Sequence, residues 1–168
     1  MDWTTHSAPY VTPPKRGESD AWTQAGGTSR LLGVDVVDAS DDVRAALALP
    51  EGARVVRRSR LIIDSEGPME VATSYWPAAW AEGTALAEAK AVKGGTLRVL
   101  ADMGYVTAKS IEDVTAEVAD GANVPEAPVG AALLVIKRTM LDAVGRPFER
   151  IIMHRWNGDP QRYILEAG

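Results

Sequence analysis

Residues 57–77, RRSRLIIDSEGPMEVATSYWP, carry the pattern that decides the fold. Two runs rich in apolar and β-branched residues flank Asp64-Ser65-Glu66-Gly67-Pro68, and those turn residues predict a tight β-hairpin. Strand side chains alternate between faces. The odd positions Val55, Ser59, Leu61, Ile63, Met69, Val71 and Tyr75 are mainly apolar, so that face is expected to meet the core. The even positions collect Val56, Arg58, Arg60, Ile62, Glu70, Ala72, Ser74 and Trp76. If Arg60 stands opposite Ala72, then Arg58 stands opposite Ser74, and Glu70 lies diagonal to Arg60 within side-chain reach. Two guanidinium forks beside a hydroxyl and a small residue make an anion pocket, because arginine grips carboxylate or phosphate with paired hydrogen bonds. The competing reading is a solvated face laced by a weak Arg–Glu pair.

The hairpin is written twice. IIDSEGPME (62–70) and MLDAVGRPFE (140–149) both read as two apolar residues, Asp, a nearby Gly, then Pro, an apolar residue and Glu. Each has an arginine four positions before its turn aspartate, Arg60 in one and Arg138 in the other. Two hairpins of one design predict a sheet with approximate internal twofold symmetry.

Outward from the hairpins, residues 1–28 mix Pro9, Pro13, Pro14, Gly17, Gly26 and Gly27 with polar residues and show no sustained period, which predicts a linker or arm. Trp3, Tyr10 and Trp22 could pin it to the domain expected over 29–168. RLLGVDVV (30–37) reads as a strand. Ser40 followed by Asp41 and Asp42 predicts a capped helix start, with Val43, Ala46 and Leu47 on one face and a stop at Pro50 and Gly52. KGGTLRVLADMGY (93–105) predicts a second helix that Gly104 ends. Further strands are expected at 105–118, 131–141, 148–156 and 162–166, so the class is α+β with a mostly antiparallel sheet.

Composition removes several functions. The 168 residues suit one core, with 46% hydrophobic and 24% charged residues. A net charge of −5 and the lack of any run of Lys or Arg longer than two residues argue against nucleic-acid binding by this chain alone. No signal peptide or membrane-length apolar run is visible, which places the protein in the cytoplasm in this reading. There is no cysteine, and His6 and His154 lie far apart, so neither a metal nor another cofactor is expected. KGGT (93–96) opens a helix with exposed N–H groups, a weak anion signal and not a Walker A loop.

The run from ALALPEGARVVRRSRLIIDSEGPMEVATSYWP (46–77) through GTALAEAKAVKGGTLRVLADMGY (83–105), IEDVTAEV, LLVIKRTMLDAVGRPFERIIM and QRYILE resembles the UTRA domain. This is the effector-binding half of GntR-type transcription regulators of the HutC subfamily, and the resemblance covers residues 29–167. It implies a chorismate-lyase-like fold, a mixed, mostly antiparallel sheet flanked by short helices, a small-molecule effector and pairing into homodimers. Family members carry a winged helix-turn-helix ahead of this domain, and APYVTPP resembles the chain leaving it. Phosphosugar-binding members have two arginines eight and six residues before the turn proline, where this chain has Arg60 and Ile62. A glutamate four residues after that proline is Ala72 here. Thr96 matches the hydroxyl at the helix start, Arg98 replaces an aromatic, and Glu149 and Tyr163 match the late Glu and Tyr. With two charged anchors absent, the resemblance does not carry a phosphosugar across. Pro125 and Pro128 also disfavour a helix the family has at 120–132.

The candidate ligand-binding residues are therefore Arg58, Arg60, Ser74, Thr96, Glu112, Glu149 and Tyr163. Ser74 shares parity with Arg60, and Glu112 sits on a long strand where it could accept hydrogen bonds from a ligand. The leading expectation is a non-catalytic dimeric sensor of a small acidic or polar molecule. The alternative is a standalone lyase, isomerase or cyclase working by electrostatic positioning, although no catalytic motif is visible. A third is a dimerisation module that forms mixed dimers with a longer relative.

Overall fold

A computed structural model of the chain describes residues 2–5 and 8–166. The strands are β1 (Asp2–Thr5), β2 (Thr28–Asp38), β3 (Arg54–Asp64), β4 (Gly67–Pro77), β5 (Lys109–Val118), β6 (Ala132–Leu141), β7 (Pro147–Arg155) and β8 (Tyr163–Glu166). The helices are α1 (Ala21–Gln24), α2 (Asp41–Ala46), α3 (Ala78–Ala81) and α4 (Thr96–Asp102), with 3-10 turns at Ala8–Val11 and Ala85–Ala87.

Six strands form one sheet in the order β2-β3-β4-β7-β6-β5, and β1 pairs with β8 in a separate ribbon. All these pairings are antiparallel, so the mixed character implied by the resemblance is absent among the described strands. The order is palindromic in the repeat: β3-β4 and β6-β7 are the two copies of the hairpin, joined through β4 and β7. The register puts Arg60 opposite Ala72 and Arg58 opposite Ser74, which a one-residue bulge near the turn makes possible: Ile63 pairs with Pro68 but Ile62 with Glu70. Both turns use their aspartate alike. Asp64 accepts from the N–H groups of Glu66 and Gly67, and Asp142 from those of Val144 and Arg146.

The short helices follow their caps. Ser40 Oγ accepts from Val43 N–H at 3.4 Å, and α2 buries Val43 and Leu47 against Val55. The helix in 93–105 is shorter than its pattern suggests, because Gly94 and Gly95 hold φ of 77° and 82° and keep KGG in a turn. Its far end is a Schellman motif: Gly104 at φ 90° donates to Ala101 O, and Tyr105 to Leu100 O. Leu100 is fully buried, worth roughly 1.5–3 kcal/mol in transfer terms.

One expectation is corrected here. The odd face of β3-β4 is not the main core face. The largest buried cluster, with Val56, Ala72, Trp76, Ile136, Met140, Ile151 and Met153, lies on the even face under Ala81, Leu86 and Leu100. The odd face is also covered, by Val124 and Ala127 of the 119–131 loop over Leu61, Val71 and Val135. A sheet sheathed on both sides is apolar on both, so alternation in one hairpin could not choose between them. The 119–131 segment is irregular, in keeping with its prolines.

Candidate functional site

Across β3, β4, β7 and β6 the even face forms four rows: Val56, Trp76, Glu149, Met140; then Arg58, Ser74, Ile151, Arg138; then Arg60, Ala72, Met153, Ile136; then Ile62, Glu70, Arg155, Leu134. The repeat maps the first row onto the fourth and the second onto the third. Arg60 is thus the counterpart of Arg138, and Glu70 of Glu149.

Helices cover part of this grid. Over the rest lies a cavity of about 690 Å³, floored by Arg60, Ile62, Glu70, Ala72, Arg138, Met140, Glu149, Ile151, Met153 and Arg155, with Gly95, Thr96 and Leu97 at one wall. The wall facing the sheet is the arm, through Tyr10, Thr12, Asp20, Trp22 and residues 25–27. The arm is fixed by particular contacts. Trp22 Nε1 donates to Thr28 O at 2.9 Å, its ring tilts against Tyr10, and a Cβ at Gly27 would fall within 2.1 Å of the indole. Arg98 Nη1 donates to Pro14 O while its other donors meet Asp102, so this residue fastens the arm.

Of the seven candidates, Arg60, Thr96 and Glu149 line the cavity and the other four do not. Arg58 is 2% exposed and spends its guanidinium on the carbonyls of Leu86, Glu88 and Lys90. Burial first, and the neighbouring Arg60 charge second, push its pKa down. It is a clamp on the 86–90 loop, because the overlying 3-10 turn covers its row. Ser74 is fully buried beneath Glu149 and has no cavity surface. Glu112 accepts from Arg138 Nε at 2.7 Å and positions that arginine from behind the floor. Tyr163 is 37% exposed on β8, outside the lining.

Sequence reasoning left Arg138, Arg155, Glu70 and the arm residues out of the candidate set. The signal for Arg138 and Glu70 was present in the repeat, whose two copies must share a face once the hairpins join edge to edge. Nothing local marked Arg155, whereas Trp22 was marked only as an aromatic able to pin the arm and not as part of a cavity wall.

The repeat is broken electrostatically. Glu70 is held by Arg155, with Nε and Nη2 both 2.8 Å from Oε2, and Arg138 is held by Glu112. In the other copies the partners are apolar or aromatic. Leu31 stands opposite Arg60 where Glu112 stands opposite Arg138, and the register carries Trp76 to the place beside Glu149 that Arg155 holds beside Glu70. Arg60 consequently makes no hydrogen bond or ion pair among the described residues, and its Nε is buried. Glu149 is 1% exposed, and burial pushes its pKa up to about 7. Ser74, Arg60, Arg138 and Trp76 favour its charge, yet Glu149 Oε2, Ser74 Oγ and Trp76 Nε1 close no hydrogen bond of normal geometry.

An antiparallel α+β sheet, roofed by short helices and a chain segment over a cavity with an unsatisfied charged floor, defines a domain built to hold a small molecule. Residues 25–159 match the UTRA domain, and the chain belongs to that family. It is 36% identical over 111 residues to an uncharacterized HTH-type transcriptional regulator of Streptomyces coelicolor, an alignment covering 63% of this chain and 41% of the relative, so the chain spans about two fifths of that protein. The ligand-binding domain of a Bordetella bronchiseptica regulator assigned to the GntR family superposes with a TM-score of 0.69 at 21% identity, over 94% of this chain and 95% of that one. The effector domain of PhnF from Mycobacterium smegmatis superposes at 0.65 with 16% identity, over 86% and 91%. These likenesses establish the fold. No helix among the described residues is long and apolar enough to cross a membrane.

Proposed function

We propose that this domain, spanning residues 29–168 with 1–28 as its N-terminal arm, is the effector-binding part of a GntR-type transcription regulator of the HutC subfamily. It binds a small molecule between sheet and arm and works in the cytoplasm as a homodimer. The observation that carries this is the cavity itself: its floor offers Arg60 without an ion-pair partner and Glu149 with an unsatisfied Oε2, and its roof is the segment leading into the domain. A ligand touching both would favour one arm position over another, which is what differential binding to two states requires. The chain has no run of Lys or Arg longer than two residues and a net charge of −5, and would act on DNA only through another segment or partner. The homodimer is supported by the resemblance and by the exposed Val114 and Val118, which share one face of edge strand β5.

Thermal-shift screening against cytoplasmic metabolites, run in parallel on wild type and Arg60→Ala, tests the reading. Stabilisation by a compound in wild type, lost in the variant, supports it. No stabilisation by any compound overturns it.

One observation favours a second reading. A buried carboxyl with a pKa near 7 beside two arginines has the properties of an acid–base group, as a lyase or isomerase on this fold would need. Turnover of a compound found in the screen, abolished by Glu149→Gln, would establish that reading.

A further inference from the structure

The broken repeat specifies ligand chemistry, an inference that rests on the ligand-binding reading above. Within one sheet face the fold builds two arginine–glutamate sets and completes only one of them. Arg138 and Glu70 are neutralised inside the protein by Glu112 and Arg155. Arg60 and Glu149 are left facing the same cavity with buried, unsatisfied polar atoms, Nε on one and Oε2 on the other. Unsatisfied buried groups of this kind are costly, and a bound molecule carrying their complements removes the cost. The two residues do not satisfy each other, since no ion pair joins them within 4.0 Å. Their backbones stand two strands and two rows apart, while their side chains converge over the floor closely enough for the Arg60 charge to favour ionisation of Glu149.

We propose that the cavity binds a small zwitterion whose carboxylate meets Arg60 and whose ammonium group, at the opposite end, meets Glu149. The remaining lining agrees in sign. Asp64, Glu66 and Asp159 stand on the side of the cavity that reaches the surface, and Asp20 comes from the arm, so acids outnumber the three lining arginines. That field opposes a dianionic phosphate and attracts an amine. Ala72 and Ile151 lie between Arg60 and Glu149 on the floor, with Met153 beside them, and this apolar stretch suits a short methylene chain between the two charged ends. ω-Amino acids are the simplest compounds of this form.

Isothermal titration of the whole chain with 4-aminobutanoate, 5-aminopentanoate and 6-aminohexanoate, beside hexanoate, hexylamine and glucose 6-phosphate, tests the assignment. At least one amino acid is expected to bind tenfold or more tighter than hexanoate, hexylamine and the phosphate. Glu149→Gln should weaken that amino acid by roughly tenfold to a hundredfold while leaving hexanoate unchanged, and Arg60→Gln should weaken it similarly while leaving hexylamine unchanged. Thermal unfolding of each variant verifies that it is folded, and Arg60→Lys, which keeps the charge, should recover part of the loss. Binding of glucose 6-phosphate or hexanoate as tight as that of every amino acid overturns the zwitterion assignment and leaves the ligand-binding reading standing. Failure of all six probes also overturns it. The broader metabolite screen then decides separately whether the cavity binds anything.

Discussion

Thr73 and Ile152 pair directly across the seam between β4 and β7, and each occupies the other's place in the repeated hairpin, as Glu70 and Glu149 do. The internal twofold of the sheet therefore passes between them. Departures from that symmetry are informative because the backbone does not require them: the same frame carries Arg155 beside one glutamate and Trp76 beside the other.

Glu149 makes stability depend on pH. Its folded pKa, raised to about 7 by burial, exceeds the 4.5 of the unfolded chain, so the folded state holds a proton that the unfolded state releases. Stability from this group is full below pH 4.5 and falls as pH rises to about 7, by on the order of 3 kcal/mol. Urea unfolding across that window should show the decline, and Glu149→Gln should flatten it. An unchanged slope in the variant assigns the proton elsewhere.

Arg58→Met should cost stability by about 2–3 kcal/mol, because the carbonyls of Leu86, Glu88 and Lys90 lose their shared donor. Relief of the repulsion from Arg60 reduces the loss. Faster hydrogen exchange should be confined to the 86–90 loop and the strand beneath it.

Glu112→Ala strands a buried guanidinium, since the two side chains of its pair with Arg138 are 10% and 5% exposed. A loss of about 3 kcal/mol is expected, and the double variant Glu112→Ala/Arg138→Met should be more stable than Glu112→Ala alone. Chemical denaturation of the four proteins of the cycle measures it, and strict additivity would show that the pair carries no coupling.

Gly27→Ala should unseat the arm while sparing the sheet. Its Cβ collides with the Trp22 ring, and the backbone there imposes no left-handed strain, so only the packing is altered. Limited proteolysis is expected to cut residues 8–27 faster, with the melting temperature of the domain nearly unchanged. Equal cleavage rates would mean that Trp22 does not hold the arm.

Much of the fold was legible because hairpin chemistry is local. Asp64 and Asp142 each organise their own turn, a bulge beside the first turn sets Arg60 opposite Ala72, and the duplicated motif implies the palindromic sheet. The site was less legible because its lining depends on which strands become neighbours and what covers them. Arg58 and Arg60 share parity in sequence, yet a 3-10 turn closes over one and a cavity opens over the other. Glu112 reads as a strand carboxylate until β5 is laid beside β6, when it becomes the partner of Arg138. The arm's proline and glycine content told of irregular backbone, and irregular backbone can roof a cavity as readily as it can trail in solvent.

The central claim is that Arg60 faces an enclosed, ligand-ready space, and its own Nε–H resonance tests this most directly. In an ¹⁵N-edited NMR spectrum, assigned by its loss in Arg60→Lys, that signal should exchange slowly with water at neutral pH. It should move together with the Trp22 indole signal as the ω-amino acid that binds tightest in the calorimetry is added. An Arg60 Nε–H exchanging as fast as that of free arginine, and unmoved through the titration, would contradict the account.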